Sequence, residues 1–182
     1  MNSTTIYTEC PLYPGERVTL RQTKTEDAAE LLKCYSDEKA VPFFNDDNCL
    51  DNFHYSTLEQ MQQEILFWCE SYQNRGFVRW TLIHHETSER IGTVEMFHRG
   101  VLAGIGSHGI LRIDLRSHYE NRSILQDILK IADRHFYRDF DVTNILTKAI
   151  PEAEERILAL EQMGYELFSF EKEHYYIKHK DH

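Results

Sequence analysis

The residues best placed to do chemistry lie between Arg116 and Ser123. They follow the alternating segment Ile110-Leu-Arg-Ile-Asp-Leu115 and precede a helical stripe of Ile124, Leu125, Ile128, Leu129, Ala132, His135 and Phe136. Strand, loop and helix in that order aim the helix's first amides beyond the strand end, which makes an anion site out of backbone. Ser123 with Gln126 has the spacing of a capping box, so the helix is predicted to start at about Ser123. The amides of Ile124, Leu125 and Gln126 then have no carbonyl partner in their own helix; Ser123 can satisfy one, and a bound phosphate the others. Six bases stand against four acids between residues 111 and 138. That local excess either gathers an anion or only solvates the outer face of the helix.

A second segment, Val41 to Tyr55, sets Phe43, Phe44, Phe53 and Tyr55 among Asn45, Asp46, Asp47 and Asp51. Aromatics and acids on a loop either line a ligand site or plug the edge of a core. Cys10, Cys34, Cys49 and Cys69 form no Cys-x-x-Cys pair and read as reduced thiols. The ten histidines are scattered, and neither His84-His85 nor His179-x-x-His182 has a complete ligand set beside it, so no metal is expected.

The elements that must position these residues are legible from period and punctuation. Arg17 to Gln22 alternates as a half-buried strand, and Thr25 can cap a helix from Glu26 to about Glu38. Ser56-x-x-Glu59 opens a second helix over about 57–75, with Leu58, Met61, Ile65 and Trp68 on one face and Gly76 as its stop. Val78–His84 and Ile91–Phe97 read as a hairpin, and a glycine-rich turn from Arg99 to Gly109 leads into the strand 110–115. Thr143–Ile150 reads as strand and Glu152–Met163 as helix, bracketed by Pro151 and Gly164. Tyr165–Phe170 and His174–Lys178 make a last hairpin. Residues 1–14 read as irregular, and with no repeat or linker the chain, 1–182, is expected to be one domain.

A net charge of −10 argues against nonspecific nucleic-acid binding, which needs a basic footprint. No apolar run approaches the roughly 20 residues that span a bilayer. Met1 to Cys10 carries neither a basic flank nor an apolar stretch, so the expected address is the cytoplasm.

Several stretches carry a resemblance that covers Arg17 to Lys178. Arg17-Val-Thr-Leu-Arg followed by Thr25-Glu-Asp-Ala-Ala, then Arg90-Ile-Gly-Thr-Val, then Ile150-Pro-Glu with Leu160-Glu-Gln-Met-Gly-Tyr165, resemble the GNAT superfamily of acyl-CoA-dependent N-acetyltransferases. The chain looks most like the branch that acetylates ribosomal-protein N-termini and small amines. It departs from the family at Asn121 and Ser123, where the pyrophosphate loop has glycines. It departs again at Ala153 and Arg156, where asparagine and serine are common, and at Leu160, where some members have tyrosine.

The resemblance implies an α/β (α+β) fold with a mixed, mostly antiparallel sheet of about six to seven strands and about four helices. It implies acetyl-CoA as cosubstrate, no metal, and transfer of an acetyl group to a small-molecule or peptide amine by direct attack. A GNAT-fold protein without transfer activity, acting as a CoA- or metabolite-binding or regulatory module, is the alternative. Cofactor contacts fall on Ile113, Leu115, Arg116, Asn121, Arg122, Ser123, Ile124 and Leu125. Glu95 is the first candidate base and Asp114 the second, each alternatively an exposed strand carboxylate. Phe43, Phe44 and Asp46, with Asp47 and Glu95, would meet a cationic acceptor. By analogy such folds also pair as homodimers through their sheets.

Overall fold

Period-2 alternation builds the sheet, and each strand sends one row of side chains to either face. In the computed structural model, which describes residues 5–180, the strands are β1 Tyr13–Pro14, β2 Val18–Gln22, β3 Val78–His84, β4 Arg90–Leu102, β5 Gly106–Leu115, β6 Asn144–Lys148, β7 Glu166–Phe168 and β8 Tyr175–His179. Their order is β1-β2-β3-β4-β5-β6-β8-β7. Only β5 and β6 run parallel; every other neighbouring pair is antiparallel. Met1–Thr4, part of the segment expected to be irregular, and His182 of the His179-x-x-His182 pair lie outside the described residues.

Four helices cover the sheet: α1 Ala28–Tyr35, α2 Leu58–Gln73, α3 Arg122–Asp139 and α4 Glu154–Gln162. The α3 and α4 side is largely apolar, with Trp80, Leu82, Val94, Met96 and Leu111 clustering with Ile128, Phe136 and Leu160. Trp80 stacks on Phe136 at 5.2 Å. Each large side chain buried there contributes about 1.5–3 kcal/mol of transfer free energy, so this layer supplies most of the cohesion. The opposite layer differs. Leu31, Tyr35, Met61, Ile65 and Trp68 of α1 and α2 form their own cluster with Phe44 and Phe53. The strand residues beneath them include Arg79, Thr81, Thr93, Glu95 and Asp114, all buried. A polar sheet face under two helices is costly unless its groups satisfy one another.

Several boundaries differ from the sequence reading. Tyr13–Pro14 lies in the segment expected to be irregular but pairs with Thr19–Leu20, bringing the sheet to eight strands. The glycine-rich stretch is mostly strand: β4 runs on to Leu102 through a register shift at His98/Gly100, and β5 starts at Gly106. Thr57, not Ser56, caps α2, accepting from the Gln60 amide at 3.2 Å while the Gln60 side chain accepts from Thr57. The first helix begins as a 3-10 turn over Thr25–Asp27 and ends at Tyr35, short of Glu38. Asn121, not Ser123, caps α3, so the helix opens at Arg122. Gln126, the expected partner of Ser123, instead donates to Gln162 at 2.6 Å.

Candidate functional site

The parallel pairing of β5 with β6 ends at Leu111 opposite Thr147, whereas β5 continues to Leu115 against β4. The sheet therefore splays open beside Arg112–Leu115. The Arg116 amide donates to the Ile91 carbonyl at 2.9 Å, which fixes the alternation along β5. Even-numbered residues there turn their backbone toward β4, so Ile113 and Leu115 turn theirs toward the opening. The sequence reading assigned cofactor contacts to these two strand residues, and both stand on that edge.

The turn after the strand is filled by the protein itself. Asp37, just past α1, accepts from the Ser117 amide at 2.8 Å, and Glu155 of α4 accepts from the Arg122 amide at 3.2 Å. The Asn121 side chain accepts from the Ile124 amide at 3.2 Å and from the Ser123 hydroxyl at 2.8 Å. The Leu125 amide donates to the Asn121 carbonyl, and the Tyr119, Glu120 and Asn121 amides donate within the turn. Ile124 and Leu125 bury their side chains in the core, and Ser123 is exposed. Burial acts to raise the Asp37 carboxyl, but the hydrogen bonds from Ser117, Lys39 and Ala40 outweigh it and hold Asp37 below its ordinary value.

Cations of the turn are likewise engaged. Arg122 pairs with Glu155 at 3.1 Å and Arg116 with Glu89 at 3.4 Å. Tyr119 donates to Glu89, the leading cause of that carboxyl's lowered pKa. Glu120 and Arg156 form a two-pronged pair at 2.7 and 2.8 Å, with side chains 7% and 4% exposed. The Arg156 guanidinium also donates to the Phe43 carbonyl at 3.2 Å, so one side chain joins α4 to the loop after α1.

On the α1 and α2 side, cross-strand register sets Arg79 opposite Glu95 and Glu95 opposite Arg112. Glu95 is buried between the two guanidinium groups, in direct contact with Arg79 and 3.1 Å from Arg112. Asp114 accepts from the Tyr35 hydroxyl at 2.7 Å and lies 3.1 Å from Arg79. Burial raises its pKa against the opposing pull of Arg79. Neither acid is the exposed strand carboxylate considered as an alternative. Both are tied to Arg79, and Glu95 also lines a cavity beside α2.

A cavity of about 340 Å³ opens beside this row, lined by Asn48–Asp51 and Phe53 of the loop, Glu64, Phe67 and Trp68 of α2, and Phe77, Arg79, Glu95 and Arg112. Of the residues expected around the acceptor, Glu95 lines it. Phe44 packs on Tyr35 at 5.3 Å, Phe43 lends its carbonyl to Arg156, and Asp46 is exposed; none of the three lines the cavity. Asp47 is drawn to Lys148 at 2.9 Å and to the Tyr175 hydroxyl at 3.1 Å. Arg79, Glu64, Phe67 and Phe77 were not singled out in sequence, and their signal lies in charges at core-facing strand positions beside a ring-rich helix.

Comparison with known proteins places the chain. Residues 17–166 match the family model described as an acetyltransferase (GNAT) domain. The uncharacterized N-acetyltransferase YoaA of Bacillus subtilis (strain 168) is 27% identical over 84 residues, covering 46% of this chain and 44% of that protein, so the match spans less than half of that relative. A GNAT-family acetyltransferase from Bacillus anthracis superposes with a TM-score of 0.69 at 12% identity, over 93% of this chain and 99% of that one. Ribosomal-protein-S5-alanine acetyltransferase from Vibrio fischeri gives 0.68 at 16%, over 94% and 97%. RimL, a ribosomal L7/L12 α-N-protein acetyltransferase in complex with coenzyme A, gives 0.69 at 11%, over 93% and 98%. The structures share the fold, and the match over residues 17–166 establishes that this chain belongs to the GNAT acetyltransferase family.

Proposed function

We propose that this chain is a GNAT-fold binding module that does not hold a coenzyme A diphosphate at the Arg116–Ser123 turn and, in the conformation described, does not transfer an acetyl group. One observation carries the reading: the Ser117 and Arg122 amides of the turn are taken by Asp37 and Glu155, beside the buried Glu120–Arg156 pair. A diphosphate in that turn would have to displace Asp37 and Glu155 from the Ser117 and Arg122 amides. The residues present therefore do not fit the group. Glu95 and Asp114 add to this, because each already serves internal hydrogen-bond donors.

The second reading is acetyl-CoA-dependent transfer to a primary amine of a small molecule or a protein N-terminus. It is favoured by the backbone edge that Ile113 and Leu115 turn toward the splayed sheet, and the ribosomal-protein enzymes among the structural neighbours favour a peptide amine as acceptor. The two readings separate by melting the protein with acetyl-CoA or CoA at millimolar concentration. A ligand at 100 times its Kd stabilises the native state by about 2.7 kcal/mol. No shift is expected. A saturable shift together with thiol release in a panel of amines overturns the binding-module reading.

A further inference from the structure

The cavity beside α2 has the rings of Phe53, Phe67, Trp68 and Phe77 for walls and carries Arg79 and Arg112 on its strand side. We propose that it binds a small carboxylic acid with an apolar or aromatic body, the carboxylate at the two arginines and the body between the rings. This deepens the binding-module reading and rests on it.

Among the described residues, unused hydrogen-bonding capacity at the strand side is two donors against one acceptor, Glu95 Oε1, which is ion-paired with Arg112 at 3.1 Å but not hydrogen-bonded. The Nε atoms of Arg79 and Arg112 are buried and have no acceptor among the described residues. The other Glu95 oxygen receives Arg79, and Asp114 receives Tyr35 and Arg79. Buried polar groups in native proteins nearly always have a partner, so orphaned donors mark a missing acceptor. Arginine's planar fork suits a carboxylate in particular.

The rings argue against a cationic amine, the occupant expected from sequence. The Arg79 guanidinium lies 4.1 Å over the Trp68 ring and 5.8 Å from the Phe53 and Phe77 rings, so faces that would cradle an ammonium already hold a cation. Three carboxyls line the cavity: Glu95 lies against the two arginines, Asp51 is exposed and accepts from the Asn52 and Phe53 amides, and Glu64 accepts from the Trp68 indole at 2.6 Å while burial raises its pKa. The entrance is apolar, with Leu50 fully exposed and Phe67 half-exposed. The volume of about 340 Å³ falls within the range of small-molecule sites.

The test is a two-dimensional NMR titration of the full chain with 3-phenylpropanoate, 3-phenylpropanamide and 3-phenylpropylamine, reading the two tryptophan indole N–H signals. Trp68 lines the cavity, and Trp80 sits in the opposite layer against Phe136. The acid is expected to move Trp68 saturably and leave Trp80 in place, with the amide at least ten-fold weaker and the amine without effect. Arg112→Gln is expected to weaken the acid ten-fold or more. Should that variant melt below the assay temperature, Phe67→Ser at the half-exposed entrance takes its place, with the same direction expected. Preference for the amine, no movement of Trp68 with any probe, or unchanged affinity in a folded variant overturns the proposal. Thiol release with acetyl-CoA would instead sink the binding-module reading, whichever probe the cavity prefers.

Discussion

The Glu120–Arg156 pair is where one side chain has the largest consequence. With both side chains nearly buried, removing one partner strands the other's charge without solvent. Such losses cost about 3–5 kcal/mol, whereas replacing both charges by apolar groups of similar volume is often neutral. Glu120→Gln is therefore expected to lower unfolding free energy by about 3–5 kcal/mol in urea melts, and Glu120→Gln/Arg156→Met to recover most of it. A loss under about 1 kcal/mol for the single variant, the range of exposed pairs, would show that the pair is solvated. A pH effect follows from Glu64. Its folded pKa lies above the ordinary 4.5, so the stability it contributes is complete below that value and is lost as pH rises through the folded one. Glu64→Gln keeps an acceptor for Trp68 and does not ionise. Its melting temperature relative to the wild type is expected to climb from pH 4 to pH 7; a constant difference would refute the assignment. Glu95 and Asp114 were visible in sequence as strand carboxylates. What they touch was not, because Arg79 meets Glu95 only through the register of the β3–β4 hairpin, which shifts at Leu82/Ile83.

At the level of elements, the splayed edge depends on β4 and β5 staying close at Gly92. A Cβ there would lie 1.9 Å from the Asp114 carbonyl oxygen, and backbone cannot yield as a side chain can. Gly92→Ala is expected to cost about 3 kcal/mol and to speed amide exchange along 92–95 and 112–115 ahead of the rest of the sheet. Uniform exchange across all strands would show that the contact relaxes instead. Period and punctuation made most elements legible, including the stripe of α3 and the stop at Gly164, since a 3.6-residue apolar repeat and a left-handed glycine are local properties. The misplaced starts were decided by contacts that local sequence does not show. Ser123 and Gln126 have the right spacing for a cap, but Asn121 takes that role and Gln126 reaches α4. β1 is too short to show a period and exists through Tyr13, whose hydroxyl donates to Asp139 at 2.6 Å.

Across the whole molecule, the contacts that fill the turn draw on both layers of the sheet. Asp37 and the Phe43 carbonyl come from the α1 side, Glu155 and Arg156 from α4, and Glu120 from the turn between them. The turn was legible from sequence because strand, loop and helix are contiguous. Its filling was not, since the carboxylates that reach it lie some 33 and 80 residues away along the chain. If the plug is what excludes the diphosphate, emptying it should reveal the family's binding site. Glu120→Ala/Arg156→Ala removes both charges together and leaves room, so it avoids the stranded charge of a single variant. It is expected to fold with a lowered melting temperature and to gain a CoA-dependent thermal shift that the wild type lacks. Asp37→Asn and Glu155→Gln, which leave the buried pair in place and still offer an acceptor oxygen to the Ser117 and Arg122 amides, are expected to gain none. Absence of a gain in the double variant would move the cause to the turn's backbone, where Asn121 and Ser123 stand at positions that the sequence resemblance expects to be glycine and the Ile124 amide already serves Asn121.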